Sequence, residues 1–153
     1  MASLLYDEIF SRFYSRVEAY DFLNLSEIQM TDYLNEWLRG AIAKPFVRRN
    51  YTSLKLDNEI QTLTYEVAHA VDSESDEYFT IEILSLGLAI EWLEPKVNSI
   101  MNTAQMFTAK ESTFYSQANH LFELRETLNN FRKLQRQLIV DRGFSYNSYL
   151  GGE

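Results

Sequence analysis

Residues 78–94 read YFTIEILSLGLAIEWLE, and this stretch decides the fold. Between Ile83 and Leu93, apolar side chains occupy nearly every face of a helix, which is typical of a helix buried on all sides. We therefore predict that this helix lies at the centre of a helical bundle. Gly87 interrupts the apolar run, and its lack of a side chain would allow a neighbouring backbone to approach closely.

Different signals mark the two ends of this central helix. The acidic stretch SESDE at residues 73–77 is rich in residues that cap helices, so it predicts the start. Pro95 predicts either the end of the helix or a kink, because proline lacks the backbone N–H that an inner turn needs. Beyond the proline, residues 96–105 are predicted to continue as a second helical piece.

Two amphipathic helices are predicted before the central one. The first covers residues 3–18, with Ser3 as its capping residue and an apolar side chain at every fourth position. The second begins at Ser26 or Thr31 and ends at Lys44, because the proline that follows pushes this residue out of the helical region. Each helix carries one apolar stripe, which predicts that both pack against other helices.

A long helix is predicted after the central one. It begins between Lys110 and Ser116 and ends at Asp141, with Gly143 as the stop signal. Its apolar side chains recur at steps of three and four residues: Leu121, Leu124, Leu128, Phe131, Leu134 and Leu138. A helix of this length exceeds what a small domain needs, so we expect part of it to project beyond the core.

The stretch between the second and the central helix, residues 46–72, is the least helical part of the chain. Residues 51–57 alternate between apolar and polar, residues 62–67 alternate again, and Asp57 and Asn58 between them favour a turn. A short β-hairpin fits this pattern, and so does an irregular excursion. We favour extended structure here.

The composition argues against several classes of function. The chain has 153 residues, which suits one domain, and no cysteine, which excludes disulfides, thiolate metal sites and cysteine catalysis. Its net charge of −8 divides into −10 over residues 1–94 and +2 over residues 95–153. Nonspecific binding of nucleic acid requires clustered Lys and Arg, so an acidic chain disfavours it. No apolar run is long enough to span a bilayer, so we expect no membrane partner.

Residues suited to catalysis or metal binding are scarce. His69 lies in the irregular stretch, and His120 has no His or Glu at metal-ligand spacing. The glycines are too scattered for a phosphate-binding loop. Two pairs of carboxylates lie at helical spacing: Glu74 with Glu77, and Glu91 with Glu94. Such pairs would suit acid–base or Mg²⁺ chemistry, but a solvated helix face is the more common explanation. We predict no catalytic residue, no metal and no cofactor.

Two small basic clusters remain: Arg132, Lys133, Arg136 and Arg142 near the end of the last predicted helix, and Lys44, Arg48 and Arg49 after the second. The first cluster would suit contacts with phosphate. It would equally complement the negative end of a helix dipole, and we favour that structural role. The second cluster would suit an acidic surface of a partner.

The C-terminal stretch DRGFSYNSYLGGE, residues 141–153, is rich in aromatic residues and glycine. Disordered tails are expected to be poor in aromatic residues. We therefore predict an extended arm over residues 142–153 that becomes ordered against a partner, rather than a frayed terminus. The whole chain is 14% aromatic, more than one small core needs, so we also expect rings at interfaces.

Five segments together resemble a known family of small structural proteins. They are LYDxIF at residues 5–10, YDFLxL at 20–25, YLxxxLxxAIAKxF at 33–46, EILSLGLAIEWLEPKV at 82–97 and FYSQANHL at 114–121. In these segments the chain resembles the head–tail connector adaptor proteins of tailed bacteriophages and prophages of Gram-positive bacteria. The shared segments are packing motifs and contain no catalytic signature.

The resemblance implies a helical bundle that is repeated as a ring, commonly a dodecamer, beneath the portal protein. DNA passes through the central channel as cargo, and the next neck or tail protein docks below. Such a protein is made in the host cytoplasm and resides in the virion, at the head–tail interface. Adaptors of this family reach the portal with a C-terminal arm. Carried onto this chain, the arm would bind through five residues: Arg142, Phe144, Tyr146, Tyr149 and Leu150.

The predicted chain is therefore mainly α-helical. A four-helix bundle with a long C-terminal helix occupies residues 1–141, with the extended or hairpin excursion at 46–72, and the extended arm occupies residues 142–153. The predicted function is that of a non-enzymatic adaptor. One alternative is an acidic phage-encoded inhibitor that binds a host defence or nucleic-acid enzyme, with its N-terminal portion imitating the charge of DNA. An enzyme that uses carboxylates alone is a third.

Overall fold

The computed structural model describes residues 1–17, 26–106 and 111–146. Over these residues the chain is mainly helical and carries a small antiparallel sheet. The helices and strands follow in this order: β1 Ala2–Leu5, α1 Tyr6–Arg16, α2 Glu27–Ala43, α3 Pro45–Arg48, β2 Tyr51–Asp57, β3 Thr62–Val67, α4 Ser73–Met106 and α5 Glu111–Tyr146.

Helix α4 is the central element, as its sequence predicts. Helices α1, α2 and α5 all pack against it. Its apolar run is buried on every side, and its fully buried side chains are those of Ile83, Leu84, Leu86, Leu88 and Ala89. The helix continues through Pro95 without a break and ends at Met106, so the proline does not end it. Helices α1, α2 and α5 therefore cover α4 together.

Gly87 brings two neighbouring helices close to the backbone of α4. A Cβ atom at this position would lie 2.7 Å from the Cβ of Ala41 in α2 and 3.3 Å from Nε2 of Gln135 in α5. The Gln135 side chain is fully buried and donates a hydrogen bond of 2.8 Å to the backbone carbonyl of Ile83. Glycine at position 87 thus makes room for α2 and for the polar contact from α5.

The predicted β-hairpin is confirmed, and a third strand joins it. The sheet order is β1-β3-β2, and both pairings are antiparallel. Leu4 and Leu63, which are register partners, are buried against the helices, and the Tyr51 hydroxyl donates to Oγ1 of Thr80 in α4 at 3.0 Å. A four-helix bundle is not confirmed, because the main apolar core is shared between the helices and this sheet.

The predicted start of the first helix is wrong. Residues Ala2–Leu5 form strand β1, and α1 begins at Tyr6. Ser3 therefore does not cap a helix; it pairs with Thr64 of β3 instead. The backbone N–H of Leu5 is bound by the Glu8 carboxylate at 3.3 Å. Pairing with β3 satisfies backbone groups and buries Leu4, and this outweighs the helical pattern in the sequence.

The predicted end of the last helix is also wrong. Helix α5 continues past Asp141 and through Gly143 to Tyr146, over 36 residues or ~54 Å. The predicted arm therefore cannot be extended over its first five residues, which belong to the helix. The rest of that arm, residues 147–153, lies outside the described residues. The second helix, in contrast, is confirmed: Ser26 caps α2 by accepting from the backbone N–H of Gln29.

Replacing Gly87 with alanine should destabilise the fold. The added methyl group would overlap Ala41, whose Cβ belongs to a packed helix and has no room to move. Overpacking of this kind costs ~1–3 kcal/mol in the free energy of unfolding, measured by chemical denaturation.

Gly40→Ala is the matched control, because it also places alanine at a helical glycine. A Cβ at position 40 would lie 2.8 Å from the carboxylate of Glu91, the far end of a flexible side chain that can move aside. Better helix propensity then offsets the shift, so the free energy of unfolding should stay within about 1 kcal/mol of the wild type. Equal losses in both variants would contradict the close packing of α2 on α4.

Candidate functional site

Arg142, the first residue of the predicted arm, lies in a buried ion pair. Its guanidinium donates through Nη2 to Asp76 in the first turn of α4, and the two side chains are only 9% and 10% exposed. The same nitrogen donates to the backbone carbonyl of His69 at 3.0 Å. The guanidinium also lies over the ring of Phe79, 4.5 Å from its centroid. We call this set of contacts the C-terminal anchor: Asp76, Arg142, Phe79 and the carbonyl of His69.

The carboxylate of the anchor is positioned by the start of α4. Oδ1 of Asp72 accepts a 2.7 Å hydrogen bond from the backbone N–H of Ser75, which caps the helix. This bond is the main reason why the pKa of Asp72 is below its ordinary value. One turn later, Asp76 accepts from the backbone N–H of Val71 at 3.2 Å as well as from Arg142. The backbone N–H of Val71 thus helps to hold the Asp76 carboxylate in the position where it accepts from Arg142.

The anchor decides where the C-terminal segment leaves the fold. It binds the last turns of α5 to the first turn of α4, next to the sheet. Phe144, two residues beyond Arg142, is 48% exposed. Tyr146 is the last residue of α5, and Tyr149 and Leu150 lie outside the described residues. The structure therefore gives Arg142 an intramolecular role, and it leaves Phe144 accessible.

The two basic clusters of the sequence are arranged differently from the prediction. Because α5 extends to Tyr146, Arg132 and Arg136 lie in its middle and do not complement its C-terminal end. Arg136 instead lies over the ring of Phe46 in α3, 5.5 Å from its centroid, so the two clusters meet in space. Arg142 is separate from them, on the turn that faces the start of α4.

A second buried ion cluster was not predicted from the sequence. Glu82, in the centre of α4, accepts from Nε of Arg12 at 2.6 Å and from Nη2 of Arg16. Hydrogen bonding to Glu82 raises the pKa of Arg12, whereas burial lowers that of Arg16. The signal in the sequence was a lone glutamate inside an apolar run, with two arginines four residues apart on α1. This cluster joins α1 to α4.

The histidines and carboxylates do not assemble a metal site in the described part of the chain. No group of three or more His, Asp or Glu there is close enough to hold a metal ion. Glu91 pairs with Lys44 at 3.3 Å and Glu94 with Arg132 at 3.4 Å, so these two carboxylates serve in ion pairs. Within the same residues, no helix combines the length and the hydropathy required to cross a membrane.

Comparison with protein-family models, with curated proteins and with solved structures gives no match for this chain.

Arg142→Met should destabilise the protein strongly, because it leaves the buried carboxylate of Asp76 without its charge partner. Breaking a buried ion pair from one side costs ~3–5 kcal/mol, and chemical denaturation measures this loss. The double variant Asp76→Asn/Arg142→Met should recover part of the loss, since no unpaired charge remains and asparagine still accepts from Val71.

Arg136→Met is the matched control on the same helix. Arg136 is exposed and its contact with Phe46 is a cation–π interaction, worth ~0.5–1 kcal/mol at such a site. A loss for Arg142→Met no larger than that for Arg136→Met would contradict the C-terminal anchor.

Proposed function

We propose that this chain is a non-enzymatic structural protein of a tailed bacteriophage, an adaptor in the connector between head and tail. In this role, copies of the chain form a ring beneath the portal protein, commonly a dodecamer. DNA passes through the ring as cargo, and the next neck or tail protein docks on its other side. The protein is made in the host cytoplasm and then resides in the virion.

The observation that carries the proposal is the sequence resemblance centred on EILSLGLAIEWLEPKV, residues 82–97. These residues are the buried middle of α4, on which all neighbouring elements pack. A resemblance in the part of the sequence that dictates the packing supports a shared helical scaffold, including the four-helix bundle that we predicted. Partners bind at the surface, and the exposed residues therefore carry the proposal about them.

The distribution of aromatic residues supports a role in assembly. Tyr6 and Phe13 are buried in the core, but several large rings are not. The exposed rings on the described residues are those of Tyr14, Tyr33, Tyr78, Phe122 and Phe144. Aromatic side chains are enriched at protein interfaces, where they bury a large area with little loss of conformational freedom. A surface of this kind suits a protein that functions between neighbours.

The C-terminal segment is the proposed contact with the portal. The C-terminal anchor fixes the end of α5, so residues 147–153 depart from a defined point of the fold. This segment contains Tyr149 and Leu150, and Phe144 is exposed just before it. Binding at the portal would bury these side chains. We therefore restrict the proposed arm to residues 147–153 with Phe144, and we assign Arg142 to positioning.

A second candidate function is favoured by the acidic start of α4. Asp72, Glu74 and Glu77 are all exposed, and they lie within the half of the chain that has a net charge of −10. Such a surface would suit an inhibitor that imitates DNA on a host enzyme. Binding by an inhibitor of this kind weakens steeply with salt and does not require the C-terminal segment.

Removing residues 147–153 tests the adaptor function without disturbing the fold. The truncated chain retains the C-terminal anchor, so its free energy of unfolding should equal that of the wild type. Its affinity for the portal protein of the same gene cluster should fall by at least about tenfold, because aromatic anchors dominate interfaces. Pull-down and calorimetric titration against the purified portal measure this affinity.

The control for this truncation is a deletion that begins at residue 142. It removes Arg142 as well, so it should lose both portal binding and ~3–5 kcal/mol of stability. Undiminished portal binding by the shorter truncation would rule out the proposed arm. Binding to a host nucleic-acid enzyme, and none to the portal, would support the inhibitor instead.

A further inference from the structure

The fold joins two basic stretches that lie far apart in the sequence. A groove of about 330 Å³ opens between α2, α4 and α5, and its lining includes Lys44, Arg132 and Arg136. The other charged residues that line it are Glu91 and Glu94. The groove lining thus holds three basic residues against two acidic ones, in a chain whose net charge is −8.

The positive charge of this groove is only partly compensated. Lys44 and Arg132 have their ion pairs with the two glutamates. Arg136 packs on Phe46, and no carboxylate pairs with it among the residues that the structure describes. A guanidinium that lies over a ring keeps N–H donors available for a carboxylate. The groove is therefore a preformed site for negatively charged groups, with an aromatic ring that fixes the orientation of one cation.

The same chain offers a complementary acidic surface. The first turn of α4 and the residue before it read DSESDE, residues 72–77, and three of the four carboxylates in this stretch are exposed. The fourth, Asp76, is taken by Arg142. The carboxylate of Glu8 lies near this stretch. Burial is the main cause that raises the pKa of Tyr65, and the charges of Glu77, Asp76 and Glu8 raise it further. We call residues 72–77 the acidic segment.

The acidic segment cannot reach the groove of its own chain. Both surfaces lie on helix α4, with Glu77 fourteen residues before Glu91, which corresponds to ~21 Å along the helix axis. A continuous helix keeps them apart. The acidic segment can therefore occupy only the groove of another copy.

We propose that the groove between α2, α4 and α5 is a docking site for the acidic segment of a second copy of this chain. The proposal deepens the proposed function, on which it rests for the presence of many copies in one assembly. Two different surfaces meet at such a contact, so a pair of copies still offers one unused groove and one unused acidic segment. Contacts of this head-to-tail type form closed rings when the rotation between copies closes, and open filaments when it does not.

The contact is electrostatic and exposed at its rim, so it should be weak for isolated copies and sensitive to salt. It gains strength when several copies are held together, because each further contact is then intramolecular in effect. Isolated chains should therefore associate in a concentration-dependent manner at low salt and dissociate at high salt.

Sedimentation velocity of the full chain with two charge-reversal variants tests this contact. Arg132→Glu/Arg136→Glu alters the groove, and Glu74→Lys/Glu77→Lys alters the acidic segment. Each variant alone should lose the low-salt association of the wild type. An equal mixture of the two should associate again, because every contact between unlike variants then joins a groove and a segment of opposite charge.

The control variant is Glu123→Lys/Glu126→Lys. It makes the same change of charge as the variant of the acidic segment, but at exposed positions of α5 outside the groove. It should associate like the wild type, and circular dichroism should show all variants folded. A wild type that stays monomeric at every concentration in low salt would overturn the proposal, and so would a groove variant that associates normally. Loss of duplex DNA binding in the groove variant alone, with unchanged self-association, would assign the groove to nucleic acid instead.

Portal binding by the same variants distinguishes a failure of the docking site from a failure of the proposed adaptor function. If the groove variant still forms wild-type rings on the portal, the docking of the acidic segment is refuted and the adaptor function stands. If the wild type associates with itself but does not bind the portal, the docking site stands and the adaptor function fails.

Discussion

The fold depends on one constraint: the middle of α4 is apolar on all sides and must be covered on all sides. No single partner can cover it, so α1, α2 and α5 all pack against it, and the sheet adds side chains to the same apolar core. Gly87 permits this arrangement, because any side chain there would collide with Ala41 of α2. Two polar side chains that enter this core are paired: Gln135 binds a backbone carbonyl of α4, and Glu82 binds two arginines of α1.

Features that depend on residues close together in the sequence were predictable. The cap at Ser26 and the alternation of the hairpin strands identified their elements, because the signals for both are local. The two errors arose from contacts between distant residues. Strand β1 forms because Ser3 and its neighbours pair with β3, some sixty residues away. Helix α5 runs through Gly143 while Arg142 is held by Asp76 of α4. Neither pairing leaves a trace in the short-range pattern.

The candidate site was predictable only in part, for the same reason. The sequence singled out both Arg142 and Phe144 as binding residues. It could not predict that Arg142 is buried against Asp76 whereas Phe144 is exposed. It also gave two separate basic clusters. The contact of Arg136 with Phe46 unites them in one groove, opposite in charge to the start of the same helix α4. Ion pairs thus join the helices inside the fold, and the exposed acidic segment and the groove lie at different positions along α4.

The central claim is that this chain completes its structure and its function by packing against other molecules. Cryo-electron microscopy of the wild-type chain assembled with its portal protein tests it most directly. The account predicts a ring of copies in which residues 147–153 lie against the portal and each groove holds the acidic segment of the adjacent copy. A solitary chain, or a ring in which those C-terminal residues contact nothing, would contradict it.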